Sequence, residues 1–131
     1  MEKYRLAIVG SRKIEDYDWV ESQILLHHNI DNISYVVSGG AKGVDTIADQ
    51  FAKKYYLPML TYKPDWKNDG KSAGYIRNKL IVDSCDCLIA FWDGKSNGTK
   101  HSISLAQKNN IPHLVILVSE ENQDTTLESI F

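Results

Sequence analysis

The sequence predicts an α/β fold: a Rossmann-like three-layer sandwich around a mainly parallel five-stranded sheet. Three observations lead there. Five short apolar runs are spread along the 131 residues, amphipathic helical patterns separate them, and glycine-rich turns follow several of the runs. Continuous apolar runs suit parallel strands covered on both faces. Alternation of such strands with helices builds βαβ units with right-handed crossovers.

Leu6-Ala7-Ile8-Val9 is the first strand and ends at Gly10. A helix over Trp19 to Leu26 follows, with Asp16 or Asp18 as its N-cap. Tyr35-Val36-Val37 is the second strand, ending at Ser38-Gly39-Gly40. Val44, Ile47, Ala48, Phe51, Ala52 and Tyr55 then fall on one helical face. Pro58 to Tyr62 is a third, weaker strand, and Lys63 to Ser72 reads as one long irregular stretch. Ala73, Ile76 and Leu80 define a third helix, with Ile76 and Leu80 facing the core. Cys87 to Trp92 is the fourth strand. Leu105 and Ala106 anchor a fourth helix that stops before Asn109-Asn110-Ile111-Pro112, and His113 to Val118 is the fifth strand. A last short helix is expected to hold Leu127, Ile130 and Phe131, capped by Asp124 or Thr125. With no repeat, low-complexity tract or linker, residues 1–131 read as a single domain.

Lys plus Arg number 15 against 17 Asp plus Glu, so the net charge is −2. Proteins that work mainly on a phosphate backbone usually carry a basic excess, so nucleic acid is not expected as a partner. No apolar run approaches the length of a membrane span, and Met1 to Arg5 leads straight into a strand without a signal peptide. Cys85 and Cys87 stand too close for an unstrained disulfide and read as buried thiols of a cytoplasmic protein. No cluster of metal-ligand spacing appears. His27 and His28 close a helix, where a cation offsets the dipole, and His113 reads as structural.

In open parallel sheets ligands bind beyond the carboxyl ends of the strands, beside helix N-termini. Gly10-Ser11-Arg12-Lys13 follows the first strand: a small residue, a hydroxyl and two cations. Ser38-Gly39-Gly40-Ala41-Lys42-Gly43-Val44-Asp45 follows the second, and Trp92-Asp93-Gly94-Lys95-Ser96-Asn97-Gly98-Thr99-Lys100-His101 follows the fourth. Three glycine-rich, basic turns therefore meet on one edge of the sheet. Arg77 and Asn78 project toward the same edge, where an arginine suits phosphate or carboxylate. Arg12, Lys13, Lys42, Arg77, Lys95 and Lys100 make that edge locally basic. Gly70-Lys71-Ser72 and Gly94-Lys95-Ser96 lack the earlier glycine of a P-loop, and no Gly-x-Gly-x-x-Gly is present. A conventional ATPase or NAD dehydrogenase is thereby disfavoured, and no cofactor is expected.

Taken in order, Val9-Gly10-Ser11-Arg12, the 38–45 turn, Asp65-Trp66 with Gly70 to Gly74, Arg77-Asn78, Trp92-Asp93-Gly94 and Gly98-Thr99 resemble the SLOG superfamily. The resemblance is to its small YspA-related branch, common in bacteria and their phages, and covers roughly residues 4 to 118. It implies a Rossmannoid domain binding nucleotides or nucleotide-derived ligands and, in some branches, cleaving an N-glycosidic bond. Carried onto this chain, Gly39, Gly40 and Gly43 would cradle a phosphate, Arg77 would match the sugar-phosphate arginine of the Lonely Guy phosphoribohydrolases, and Gly98-Thr99 their phosphate turn. Those hydrolases place a catalytic glutamate two residues after the threonine, and here that position is His101. An imidazole is a poor substitute for a carboxylate that stabilises an oxocarbenium-like transition state.

The leading expectation is a module that binds a nucleotide-like small molecule as sensor or sequestering protein. The ligand would lie against Gly10, Ser11, Arg12, Ser38, Gly39, Gly40, Lys42, Gly43, Asp45, Asn78, Asp93, Gly98, Thr99 and Lys100, its phosphates held by backbone amides of the Gly39–Gly43 turn and the 98–101 helix start, with Arg77 adding charge. Trp66 or Trp92 would stack on the base, a core position being the alternative for Trp92. The rival reading is an N-glycosidase with Asp45, Asp93 or His101 in an acid–base role. A third, weaker reading is single-stranded DNA binding, by analogy with DNA-processing protein A of the same superfamily. Pairing into a homodimer or higher homo-oligomer would use an exposed face carrying Tyr17, Trp19 and Tyr56.

Overall fold

In the computed structural model, which describes residues 2–118 and the backbone of a strand at 125–129, Leu6 and Ile8 face one helical layer. Ala7 and Val9 face the other. The first apolar run is thus covered on both sides, as its composition requires.

Five strands run parallel: β1 (Tyr4–Gly10), β2 (Ile33–Ser38), β3 (Met59–Thr61), β4 (Cys87–Trp92) and β5 (His113–Val118). The sheet order is β3-β2-β1-β4-β5-β6, with β6 (Thr125–Ser129) antiparallel to β5. Helices α1 (Tyr17–His27) and α2 (Val44–Lys54) pack Val20, Ile24, Val44, Ile47 and Phe51 against one face. On the other face α4 (Ala73–Asp83) and α5 (Asn97–Lys108) supply Ile81, Val82 and Ile103. The fold is therefore the expected Rossmann-like α/β sandwich. No helix among the described residues is long and apolar enough to cross a membrane.

Several local expectations need correction. The C-terminal helix is absent at 125–129: Thr125 and Thr126 lie in β6, which covers the edge of β5 and makes the sheet six-stranded. β-Branched residues favour an extended chain, and an open strand edge supplies the partner. Asp124, Ile130 and Phe131 lie outside the described residues. The stretch from Lys63 to Ser72 is not wholly irregular. Asp65 caps a one-turn helix, α3 (Trp66–Asp69), by accepting from Asn68 N–H at 3.1 Å, and a 3-10 turn over Gly70–Ser72 leads into α4.

The inward face of α4 also differs from the one its apolar spacing predicts. Ala73, Asn78, Ile81 and Val82 are buried, whereas Tyr75, Ile76 and Leu80 are exposed. A hydrogen-bonded asparagine in the buried stripe breaks the apolar periodicity, so the outward residues imitate a core face. Asp16, not Asp18, caps α1, accepting from Trp19 N–H at 3.1 Å. Tyr17 and Trp19 do not form an open face with Tyr56: they pack against the core, Trp19 edge-on to Phe91 at 5.6 Å. His28 carries no helix-capping charge at neutral pH, because burial pulls its pKa down to about 4.

The turn into α2 depends on one glycine. Gly43 has φ 72°, and a Cβ there would meet Ser11 O and lie 2.6 Å from Arg12 Cα. Its bare backbone lets Val44 N–H donate to Ser11 O at 3.2 Å, locking the loop after β1 to the start of α2. Gly43→Ala is expected to destabilise the fold by about 1–3 kcal/mol, since both the conformation and the contact oppose a side chain. Urea denaturation checks this, and an unchanged midpoint would refute it.

Candidate functional site

After β1 the chain turns to one face of the sheet, and after the neighbouring β4 it turns to the other. Diverging connections between adjacent parallel strands leave a crevice at their carboxyl ends. A cavity of about 410 Å³ occupies it. Of the expected site residues, Gly10, Ser11, Arg12, Asp45, Arg77, Asn78, Asp93, Gly98 and Thr99 line this cavity. A second cavity, of about 600 Å³, adjoins it and is lined by Gly40, Lys42 and Trp66, with Arg12, Ala41 and Arg77 common to both.

Other expected residues stand elsewhere. Ser38 is wholly buried behind Asp45, and Gly39, Gly43, Lys100 and His101 line neither cavity. Gly39 acts through its carbonyl, which accepts from Arg77 Nη1 at 2.7 Å, and a Cβ on it would collide with that guanidinium. Trp92 belongs to the core and donates its indole N–H to Ser96 O at 3.0 Å. Lys63 and Pro64, lining the second cavity, were missed. They directly follow the third strand's apolar run, so reading the residues beyond every strand would have found them.

The two helix N-termini at the crevice differ. At α2, Val44 N–H is taken by Ser11 O, and the Asp45 carboxyl accepts from Ala41 N–H at 3.1 Å. At α5, Ser96 makes no side-chain cap, while Asp93 turns aside to accept from the Lys95 and Ser96 amides at 2.9 and 2.8 Å. Gly98 and Thr99 bring the first turn of α5 to the cavity wall. The positive end of α5 is therefore the better anion seat.

Charge at the rim is cationic. Among the described residues, neither Arg12 nor Arg77 takes part in an ion pair. Burial pulls the pKa of Arg77 below its ordinary value; Asp45 opposes this and Arg12 adds to it. The half-buried Arg77 guanidinium with the exposed Arg12 nearby favours an anion placed between them. Burial also pushes Asp93 upward, but hydrogen bonds from Ser96, Lys95 and the Ser11 hydroxyl outweigh it and hold the carboxyl below the usual range. Asp93 thus acts as an ionised acceptor that shapes the turn. Burial pushes the Cys85 and Cys87 thiols up to about 12, so neither is a thiolate at neutral pH. Among the described residues no group of three or more His, Cys, Asp or Glu is arranged to hold a metal ion.

Asp45 is the unusual carboxyl. Burial holds it above the ordinary range, against the opposing pull of Ala41 N–H, the Ser38 hydroxyl, Arg77 and Arg12. Ser38 Oγ lies 2.9 Å from both Ile8 O and Asp45 Oδ1, yet a hydroxyl has one hydrogen. The chain closes without sharing when a protonated Asp45 donates to Ser38 Oγ, which donates on to Ile8 O.

The YspA, cpYpsA-related SLOG family matches residues 4–68. The Gene 61 protein of Mycobacterium phage D29 is 35% identical over 116 residues, covering 82% of this chain and 92% of the phage protein. Among solved structures, DNA processing protein A from Helicobacter pylori, described for its single-stranded DNA binding mode, superposes with a TM-score of 0.64 at 27% identity. The match covers 87% of this chain and 65% of that one, so the chain spans slightly under two thirds of its structural neighbour. This neighbour overturns the expectation of a small-molecule partner with nucleic acid disfavoured. That expectation rested on net charge, which averages over the surface and misses the cations gathered at one crevice.

Asp45→Asn preserves the hydrogen bonds, with Nδ2–H donating to Ser38 Oγ and Oδ1 accepting from Ala41 N–H. Stability is expected to change by less than about 1 kcal/mol, whereas Asp45→Ala strands those partners and costs about 1–3 kcal/mol. Because the folded pKa of Asp45 lies above its unfolded value, ionisation opposes folding. Wild type should lose stability relative to Asp45→Asn as pH rises from the ordinary Asp range through the raised value, then level off. Urea denaturation across pH reads the difference, and a flat or rising one would refute the assignment.

Proposed function

Because the chain belongs to the YspA, cpYpsA-related SLOG family, we propose that it binds single-stranded nucleic acid along the crevice, with successive nucleotides in its two adjoining cavities. One observation carries this reading: Arg12 and Arg77 each line both cavities. Guanidiniums at a shared boundary suit the phosphate that joins two nucleotides, since their planar donors match its oxygens. In the first cavity the open N-terminus of α5 takes a further phosphate. In the second, Lys42 and Lys63 supply charge, and the ring of Trp66, 55% exposed, offers a stacking face for a base. Aromatic platforms beside a cationic track are how single strands are held without reading sequence. The likeness to a single-stranded-DNA-binding protein supports the same conclusion.

Fluorescence anisotropy with labelled oligothymidylate tests the proposal, with thymidine monophosphate as competitor. Arg77→Ala should weaken binding by about 1.5–3 kcal/mol through loss of charged hydrogen bonds. Trp66→Ala should weaken it by about 1–3 kcal/mol through loss of stacking. Affinity should fall as salt is raised. Equal competition by the mononucleotide, a flat salt response, or indifference to both substitutions would overturn the reading.

A further inference from the structure

Arg77 is held in place by a chain of donors that ends on a histidine outside both cavities. Its Nη1 donates to Gly39 O at 2.7 Å and its Nε donates to Asn78 Oδ1 at 3.0 Å. Guanidinium nitrogens only donate, so the second contact fixes which end of the Asn78 amide faces Arg77. The Nδ2 group must then face α5, where it lies 3.3 Å from Gly98 O and 3.2 Å from His101 Nδ1. Asn78 is 6% exposed, so each of its hydrogens needs a partner within the protein. Gly98 O takes one hydrogen and His101 Nδ1 takes the other. His101 must therefore present a lone pair at Nδ1 and carry its proton on Nε2. Tyr75 meets the imidazole edge to face at 4.6 Å and limits its rotation.

We infer that His101 is a positioning residue for Arg77, acting through Asn78, and that the arrangement holds only while the imidazole is neutral. A proton on Nδ1 would point N–H at N–H across the Asn78 contact. Turning the amide over relieves that clash but presents Nδ2–H to Arg77 Nε–H, so the conflict moves to the guanidinium. No orientation of Asn78 satisfies both a protonated His101 and the present Arg77. Tyr75 and, beyond Asn78, Arg77 are the titratable groups that α4 presents here, and Lys100 flanks His101 on α5. Burial lowers the histidine's pKa, keeping it neutral through the neutral range. Of the other titratable groups in the crevice, Asp45 gains a proton on acidification and so favours anions. A loss of anion affinity on acidification has the opposite sign and is assigned to His101.

This inference rests on Arg77 binding phosphate, so its test includes a reading that needs no ligand. Oligothymidylate is the probe, because its phosphodiesters and thymines gain no proton between about pH 8 and about pH 5. His101→Leu, which removes the acceptor, should weaken binding about tenfold at neutral pH. His101→Asn, whose Oδ1 takes the place of Nδ1, should recover most of that loss and abolish the weakening that wild type shows on acidification. In parallel, nitrogen NMR of the unliganded protein should show His101 protonated on Nε2 alone at neutral pH. The Arg77 Nε–H signal should broaden as His101 titrates in wild type and persist in His101→Asn. A pH-independent wild-type affinity, or an Asn variant as weak as the Leu variant, would overturn the inference. If wild type binds no oligonucleotide, the nucleic-acid reading fails, and the NMR titration alone then decides for or against the His101–Asn78–Arg77 arrangement.

Discussion

The crevice depends on one buried amide. Asn78 takes the Arg77 Nε–H, gives a hydrogen to Gly98 O at the start of α5, and gives the other to His101. Through Arg77 the connection continues to Gly39 O in the turn after β2. Three segments far apart in the chain are thus tied by directional bonds, where apolar packing alone would let them slide. Each bond contributes only about 1 kcal/mol net, but leaving a buried partner unmet costs more than the bond supplies. The arrangement therefore behaves as a unit.

The same residue explains what was and was not legible in the sequence. Strands were readable because Leu6 to Val9 and Leu114 to Val118 are apolar without interruption, as burial on both faces of a sheet requires. Helix α2 was readable because its buried face is apolar throughout except at Asp45. Helix α4 was not, because Asn78 interrupts its inward stripe while Tyr75, Ile76 and Leu80 decorate its outward one. Strand β6 was hidden for another reason: the spacing of Leu127 and Ile130 imitates a helix, and the demand for a strand comes from the open edge of β5, which the residues of β6 do not themselves reveal. At the site, residue types beyond strand ends were sufficient to locate the crevice. They could not separate Gly39 and Gly43, which allow close backbone approach, from residues that face the opening.

Net charge misled for a related reason. Four ion pairs, Arg5–Asp86, Lys53–Asp49, Lys54–Glu21 and Lys79–Asp83, cancel charge at positions away from the cavities. A sum over the chain weighs those neutralised groups equally with Arg12 and Arg77, which have no such partners among the described residues. What an approaching anion meets is the local remainder, focused by the crevice walls.

The sheet order has a further consequence for when the crevice comes into being. Strand β1 leaves the ribosome well before β4, yet β4 is its neighbour on the crevice side, with Leu6 opposite Cys87 and Gly10 opposite Phe91. Until those later residues emerge, β1 has only half of its hydrogen-bonding partners, and the wall carrying Asp93, Gly98 and Thr99 does not exist. A nascent or prematurely terminated chain can therefore pair β1 with β2 and still present no closed anion seat. Competence to bind arrives late, together with completion of the sheet's centre, so the fold itself times the appearance of the site.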